Sequence, residues 1–186
     1  NLIRRDEWQC LFVTHFPLFE YDELTNSLQA MHNIVSHPLE EDLPLIEEGF
    51  SSTLPVSDVN HPWRKARALQ YDLVINGWEI ASGGQRINRR ELQEKILNIL
   101  GIGKERAERM FGFLLRALEY GAPPHAGIAV GFDRLVSIMT GTETIRDVIA
   151  FPKTTNALSL MDGSPTPIDP EQLEELGLML KEEPTA

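Results

Sequence analysis

Apolar and polar residues alternate most clearly between Tyr71 and Ala81, in the sequence YDLVINGWEIA. Such alternation is typical of a β-strand with one buried face, and the Asn76-Gly77 pair in its middle is a strong signal for a two-residue hairpin turn. The turn would pair Ile75 with Trp78, Val74 with Glu79, Leu73 with Ile80 and Asp72 with Ala81. The sequence therefore predicts a β-hairpin with one apolar face and a second face that carries Asp72 and Glu79.

Two later segments show the spacing of an amphipathic helix. Residues 88–100 predict a helix that Asn88 caps and Gly101 ends, and residues 104–120 predict a second helix. The buried stripe of the second helix is predicted to contain Met110, Phe111, Phe113, Leu114, Leu115, Ala117 and Leu118. Residues 121–135 then change from turn residues to a short apolar run and back to helical periodicity, which predicts a loop, a strand and a helix.

The remaining parts of the chain have weaker patterns. Residues 10–19 predict a strand, interrupted by Pro17, and residues 27–34 predict a second extended piece. Residues 37–67 contain several prolines and predict a long irregular loop or insertion. Residues 161–186 predict a tail with one short helix. We therefore expect a main domain at residues 1–160 and a separate C-terminal tail.

The polar face of the predicted hairpin is a candidate metal site. Asp72 and Glu79 would be diagonal neighbours there, and two carboxylates repel each other unless a cation lies between them. Mg²⁺ is commonly held by one or two carboxylates together with substrate phosphates. A solvated polar face explains the same spacing equally well. Strict alternation would place Arg86 on the opposite face, unless a bulge at Gly83 and Gly84 changes the register.

A second candidate site lies at the predicted strand-to-helix junction, where Arg134 falls in the first helical turn. A cation is slightly disfavoured there, because the first turn is the positive end of the helix dipole. Gly127 and Gly131 allow close approach of a backbone or a flat ligand, and a guanidinium suits a phosphate or a planar aromatic ring. On these residues alone, a packed strand and helix with a surface arginine is the simpler interpretation.

Composition narrows the function classes. The chain has 186 residues, 42% of them hydrophobic, and a net charge of −11, which argues against a nucleic-acid-binding module acting by itself. The single cysteine, Cys10, fits a reducing compartment, and its apolar neighbours predict a small core residue. No apolar run approaches the roughly 18 residues that cross a membrane. We expect a cytoplasmic protein without membrane contact.

Several stretches, in order along nearly the whole chain, resemble the bacterial-type aspartyl-tRNA synthetases, which are class II aminoacyl-tRNA synthetases. They include FPLFEYDE at 16–23, MHNIVSHP at 31–38, YDLVINGWEI at 71–80, FGFLLRALEYGAPPH at 111–125, GIAVGFDRL at 127–135 and IRDVIAFPKT at 145–154. Lysyl and asparaginyl relatives lack the Gly-Ala-Pro-Pro-His segment. The resemblance covers the C-terminal half of the catalytic domain. It implies an α+β fold, with an antiparallel β-sheet flanked by helices, as part of a class II catalytic core.

The resemblance implies an ATP and magnesium site. The third motif of the class ends at Gly131, Phe132, Asp133 and Arg134, which would bind ATP. Arg134 would be a catalytic residue that contacts the bent triphosphate and lies against the adenine. Glu79 would also contact ATP, and Asp72 and Glu79 would bind Mg²⁺.

The resemblance also implies an aspartate site. Arg86 would be the second catalytic residue and would receive the side-chain carboxylate of the substrate, because a planar guanidinium binds a carboxylate through two parallel hydrogen bonds. His32 would be a further aspartate-binding residue. The family commonly has two adjacent histidines before Pro-Phe-Thr, whereas this chain has His32-Asn33-Ile34-Val35-Ser36. The family's Gly-Gly-Gly-Ser is replaced by residues 81–85, ASGGQ.

Other parts of such enzymes do not match any stretch of this sequence. These are an anticodon-binding domain, a first motif at a homodimer interface, and a second motif whose arginine binds the α-phosphate. We therefore expect a fragment of an aspartate–tRNA ligase that uses ATP, aspartate and tRNA as part of a longer homodimer and is inactive alone. Two alternatives stay open: a tRNA-independent enzyme that adenylates aspartate or a related acid, and a non-catalytic paralogue with a structural or regulatory role.

Overall fold

The computed structural model describes residues 7–181, which divide into two compact units after Leu135. The strands of the first unit are β1 (Cys10–Thr14), β2 (Phe19–Asp22), β3 (Ser27–Ala30), β4 (Gln70–Ile75), β5 (Trp78–Gln85) and β6 (Ala126–Val130). The helices of the described chain are α1 (Leu43–Ser51), α2 (Pro62–Lys65), α3 (Arg90–Ile99), α4 (Lys104–Glu119), α5 (Phe132–Thr140) and α6 (Pro170–Glu175). Antiparallel strands with separate helices confirm the predicted α+β class.

A four-stranded antiparallel sheet, in the order β1-β4-β5-β6, organises the first unit. Its central hairpin turns at Asn76 and Gly77, both with positive φ, as the Asn-Gly pair predicts. Val74 pairs with Glu79 as expected, but Leu73 then pairs with Ala81, because an extra residue, Ile80, bulges from β5. The predicted pairs beyond Val74 are therefore wrong. The bulge lies nearer the turn than the two glycines where it was expected.

The main core lies beside this sheet and not on its outer strands. Its buried residues are Leu18, Phe19, Leu28, Ile46, Ala66, Ala68, Ile87, Leu92, Ile96 and Ile99. They come from the β2–β3 hairpin, from α1 and α3, and from the segments between elements. Every residue of β1 and β6 is exposed. The prediction that Cys10 is a core residue is therefore wrong, because its strand pairs on one side only and contributes nothing to this core.

Residues 37–67 are not wholly irregular, and the prediction is wrong for residues 43–51, which form α1. A proline stands in the first turn of both α1 and α2, where it favours a helix start, although we had interpreted the prolines as loop markers. Trp63 ties the two helices together by donating an indole hydrogen bond of 3.0 Å to the Ile46 carbonyl. Before α1, the buried Asp42 accepts hydrogen bonds from Arg67, which lowers the pKa of the Asp42 carboxyl.

Helices α3 and α4 lie near their predicted positions with two corrections. Asn88 does not cap α3, because its amide donates to the Ala122 carbonyl at 3.3 Å and the helix begins two residues later. In α4 the buried side is formed by Ala107, Gly112, Leu115 and Leu118. Met110, Phe113 and Ala117, predicted to be buried, are exposed. The buried stripe of α4 is narrower than predicted because the helix packs against α3 through one side.

The second unit is short and contains little regular structure. It starts within α5, which ends before Gly141 at a φ of 72°. A 3-10 turn at Ile145–Asp147 and helix α6 follow, and α6 begins with Pro170 as predicted. The end of the predicted tail (161–186), namely residues 182–186, lies outside the described part of the chain. Among the described residues, none of the helices has the length and apolarity needed to cross a membrane.

A buried histidine makes the stability of the first unit depend on pH. His61 is 2% exposed, and its Nδ1 accepts a hydrogen bond from the backbone N–H of Trp63 at the start of α2. Burial lowers the pKa of His61 below its ordinary value of 6.5, and Asp58 offsets this only in part. The unfolded chain therefore takes up a proton at a higher pH than the folded chain does.

We expect the free energy of unfolding to fall as the pH drops below about 6.5, which is the ordinary pKa of histidine. The contribution is fully present above that pH, where His61 is neutral in both states. His61→Asn keeps an acceptor at the helix start but does not titrate. Urea unfolding at pH 7.5 and 5.5 should show a smaller loss for this variant than for the wild-type chain. Equal losses would contradict the assignment.

Candidate functional site

The bulge at Ile80 decides which side chains share a face of the sheet. Before the bulge Glu79 pairs with Val74, and after it Ser82 pairs with Asp72. Paired residues point to the same side, so Asp72 and Glu79 lie on one face. Continued alternation from Ser82 places Arg86 on that face as well. The bulge at Ile80 thus brings Arg86 to the face of Glu79, which is the effect expected of a bulge at Gly83 and Gly84.

Arg134 lies beside Glu79 on this face. The junction between β6 and α5 is fixed by the Gly131 N–H, which donates to the Ile80 carbonyl at 2.7 Å. Arg134 Nη1 donates to the Glu79 carbonyl at 2.7 Å and lies 3.6 Å from Glu79 Oε2. The two side chains are 49% and 51% exposed. Because a guanidinium has five N–H donors, Arg134 keeps several of them for a bound anion.

Asp72 has an unsatisfied buried oxygen. The residue is 8% exposed, and its Oδ1 makes no hydrogen bond with any described residue. A buried carboxylate oxygen without a partner is costly, and a cation would satisfy it. The described residues contain no group of three or more histidine, cysteine, aspartate or glutamate side chains arranged for a metal. Asp72 and Glu79 therefore suit Mg²⁺ that takes its other ligands from phosphates.

Arg86 lies at the other end of the same face. Its N–H donates to the His125 carbonyl at 2.9 Å, and its Nη1 donates to Asn33 Oδ1 at 3.1 Å. A cavity of about 260 Å³ lies next to it, and its wall is mostly apolar. The lining residues include Arg86, His125, Val35, Gln93 and Leu118. Arg86 therefore lies beside a small cavity and is held by a neutral side chain.

The remaining predicted site residues are less closely connected. His32 is exposed and packs edge-on against the Phe16 ring, with the two centroids 4.6 Å apart. In the described part of the chain, no hydrogen bond or ion pair joins His32 to Arg86. Phe132 and Asp133 are both exposed in the first turn of α5. They flank the junction that Gly131 anchors. Their side chains are open to a ligand.

Two further cavities of about 370 and 530 Å³ lie away from these residues. The smaller is lined by residues of α3 and α4 and the turn between them, including Glu94, Lys95 and Lys104. The larger is lined by residues near α1 and α3, including Glu47 and Arg89. Neither contains a residue that the sequence predicts for the site. Within the described chain, the predicted site residues that lie on one sheet face are Asp72, Glu79 and Arg86, with Arg134 beside Glu79.

Sequence reasoning missed two residues that hold the site together. Asn33 enters the prediction only as a departure from the family pattern. Its side chain accepts hydrogen bonds from residues two and three positions later, and such a turn is a recognisable signal of asparagine. Tyr71 lies across Gly83, and its hydroxyl donates to the Gly127 carbonyl at 3.1 Å. The predicted register had placed Tyr71 opposite Ser82 and so concealed this contact.

The family model for class II tRNA synthetases (D, K and N) matches residues 2–155. The chain belongs to this family. Curated relatives include an aspartate–tRNA(Asp/Asn) ligase from Dictyoglomus turgidum, 47% identical over 95% of this chain, and one from Natranaerobius thermophilus, 48% identical over 96%. An aspartate–tRNA ligase from Lysinibacillus sphaericus is 43% identical over 97%. These relatives confirm the resemblance to bacterial-type aspartyl-tRNA synthetases. The chain spans only 28% of the length of each.

Solved structures share the fold. The asparaginyl-tRNA synthetase of Entamoeba histolytica, solved in complex with asparaginyl-adenylate, matches with a TM-score of 0.55 and 20% identity, over 81% of this chain and 26% of that protein. The aspartyl-tRNA synthetase of the same organism matches with a TM-score of 0.53 and 22% identity, over 81% of this chain and 23% of that protein. The likeness confirms the predicted class II catalytic fold.

Close packing at Gly83 gives a test of the sheet that carries the site. A Cβ at this position would lie 2.2 Å from the Gly127 carbonyl oxygen and 2.9 Å from the Ile128 Cα, which are backbone atoms. We expect Gly83→Ala to push β6 away from β5 and to destabilise the chain by about 1–3 kcal/mol, as overpacking typically does. Urea unfolding measures the loss. Gly127→Ala on the neighbouring strand is the control, since its Cβ would meet nothing within 4 Å. Equal stability of both variants would contradict the packing.

Proposed function

We propose that this chain is part of an aspartate–tRNA ligase, which activates aspartate with ATP to aspartyl-adenylate and then transfers it to tRNA. The observation that carries the proposal is one sheet face with an arginine side chain at each end. Arg134 lies beside Glu79, and Arg86 lies beside a small cavity. The names of the curated relatives favour this function over tRNA-independent adenylation and over a non-catalytic role.

The ATP end of the proposed site is the β6–α5 junction. Arg134 binds the triphosphate through the donors that Glu79 leaves unused and lies with its planar face against the adenine. Gly131, Phe132 and Asp133 line the approach. Asp72 and Glu79 would hold Mg²⁺, which would neutralise phosphate charge. A guanidinium held in place before the reaction stabilises developing charge without reorganisation. These assignments rest on the geometry of the described residues and on the family motif.

The aspartate end of the proposed site is Arg86 with its cavity. The guanidinium binds the side-chain carboxylate of aspartate, and the exposed His32, which packs against Phe16, contributes a further contact. The α-carboxylate of the substrate then attacks the α-phosphate of ATP, and pyrophosphate leaves as aspartyl-adenylate forms. A hydroxyl of the tRNA terminal ribose then attacks the aspartyl carbonyl carbon of the adenylate, and AMP leaves as the ester to tRNA forms. Most of the catalysis is positioning of the two substrates.

The two arginines should separate the two substrates in the complete protein that contains this chain. We expect Arg134→Ala to lower kcat/KM for ATP by about 100-fold or more, as loss of a charge-stabilising donor does. We expect Arg86→Ala to lower kcat/KM for aspartate by about 30-fold or more. Aspartate-dependent ATP–pyrophosphate exchange measures both. Arg116→Ala removes an exposed arginine of α4 and is the matched control. Unchanged kinetics in both site variants would refute the site.

The chain alone should not catalyse the reaction. Among the described residues β6 pairs only with β5, and its exposed Ile128 and Val130 leave one side of the site open. The curated relatives are more than three times as long. We therefore propose that further strands and a further cation complete the site in a longer enzyme, a homodimer of the cytoplasm.

We expect no detectable aspartate-dependent ATP–pyrophosphate exchange from this chain alone, because loss of one cationic contact can remove about 3 kcal/mol of transition-state stabilisation. The complete protein, assayed beside it, is the positive control. Exchange above background by the isolated chain would show that residues 1–186 already contain a working site.

A further inference from the structure

Three donors converge on one atom of Asn33. The Oδ1 atom accepts hydrogen bonds from the Val35 N–H at 3.1 Å, the Ser36 hydroxyl at 2.9 Å and Arg86 Nη1 at 3.1 Å. Because all three partners are donors, the atom must be the carbonyl oxygen of the amide. Asn33 therefore connects its own loop directly to Arg86.

The loop that carries Asn33 is fixed to the end of β5. The Ile87 N–H donates to the Val35 carbonyl and the His37 N–H donates to the Gln85 carbonyl, each at 2.9 Å. Ser36 and Arg86 form an isolated β-bridge between these bonds, and Ser36 is buried. The backbone thus fixes Asn33 and Arg86 relative to each other. Only the chemical nature of the side chain at position 33 remains to be explained.

Two other arginines of the first unit are surrounded by carboxylates. Arg90 contacts Glu94, Glu108 and Glu119, and Arg67 contacts Glu41 and Asp42. With 28 acidic and 17 basic residues, the chain has carboxylates in excess. Arg86 is different, because the side chain that holds it is a neutral amide. An amide oxygen orients a guanidinium but does not cancel its charge, whereas a carboxylate does both.

We propose that Asn33 is a positioning residue that orients Arg86 while leaving its positive charge available for the carboxylate of the substrate. This inference rests on the proposed function, in which Arg86 binds aspartate. A carboxylate at position 33 would occupy the same place and accept the same hydrogen bonds. It would then compete with the substrate for Arg86. The neutrality of Asn33 is therefore the property that permits recognition of an acidic substrate.

The test is Asn33→Asp in the complete protein, which is nearly isosteric and keeps every acceptor. We expect KM for aspartate to rise by about tenfold or more, since an unfavourable charge beside a binding group costs that much. KM for ATP should stay within about twofold, and the thermal midpoint should not fall. Asn33→Ala, which frees Arg86 without adding charge, should raise KM for aspartate less than Asn33→Asp does. Asn26→Asp adds the same charge at an exposed asparagine that accepts from the Tyr21 hydroxyl, and it is the matched control.

The outcomes separate this inference from the proposed function. A purely structural role for Asn33 would make Asn33→Asp silent and Asn33→Ala the more harmful variant, which would overturn the inference. If Arg86→Ala also left aspartate kinetics unchanged, the aspartate site itself would be wrong. A rise in KM for aspartate in Asn26→Asp equal to that in Asn33→Asp would assign the effect to net charge and would likewise overturn the inference.

Discussion

A single extra residue in β5 determines the geometry on which the candidate site depends. Without the bulge at Ile80, strict alternation would direct Glu79 and Arg86 to opposite faces of the sheet. With it, Asp72, Glu79 and Arg86 share one face. The bulged residue also exposes a carbonyl that receives Gly131, so the same irregularity anchors the next strand and helix. Bulges commonly redirect side chains in this way near functional sites.

In the candidate site, the backbone is held in place by hydrogen bonds, whereas the charged side chains are only partly paired. Backbone hydrogen bonds place the loop at 33–37, the end of β5 and the β6–α5 junction. The charged groups that face the candidate ligands keep unused capacity: within residues 7–181, Arg134 has free donors and one oxygen of Asp72 has no hydrogen-bond partner. Fully paired arginines occur instead where helices meet, as Arg90 does between α3 and α4. Local pairing stabilises the fold there, whereas incomplete pairing leaves hydrogen-bonding capacity for the proposed ligands.

Much of this arrangement could be predicted from the sequence, because the signals were local. Asn76-Gly77 predicted the hairpin turn, since only such residues adopt two consecutive positive φ values easily. The loop, strand and helix at residues 121–135 followed from a change of periodicity. The family motifs then suggested roles for Arg86 and Arg134 that spacing alone left open. Each of these inferences used residues that lie within a few positions of one another.

The predictions that are wrong concern features that the neighbouring residues alone do not determine. A bulge at an apolar residue such as Ile80 leaves no local signature, because any residue can occupy it. The apolar neighbours of Cys10 predict burial, but burial depends on which elements cover a strand. The helix at 43–51 was concealed by Pro44, whose effect reverses between the first turn and the interior of a helix. The contact between Asn33 and Arg86 joins residues that are 53 positions apart, and only the folded register brings them together.

Arg134 donates a hydrogen bond to the main-chain carbonyl of Glu79. Two properties of the site, the orientation of the guanidinium and the negative charge beside it, therefore depend on different parts of Glu79. The direction of the guanidinium is set by a group that every amino acid carries, and the negative charge beside it is set by the side chain. A substitution at position 79 therefore alters the local charge while the arginine keeps its anchor. In evolutionary terms, the main-chain anchor of Arg134 does not depend on which residue occupies position 79.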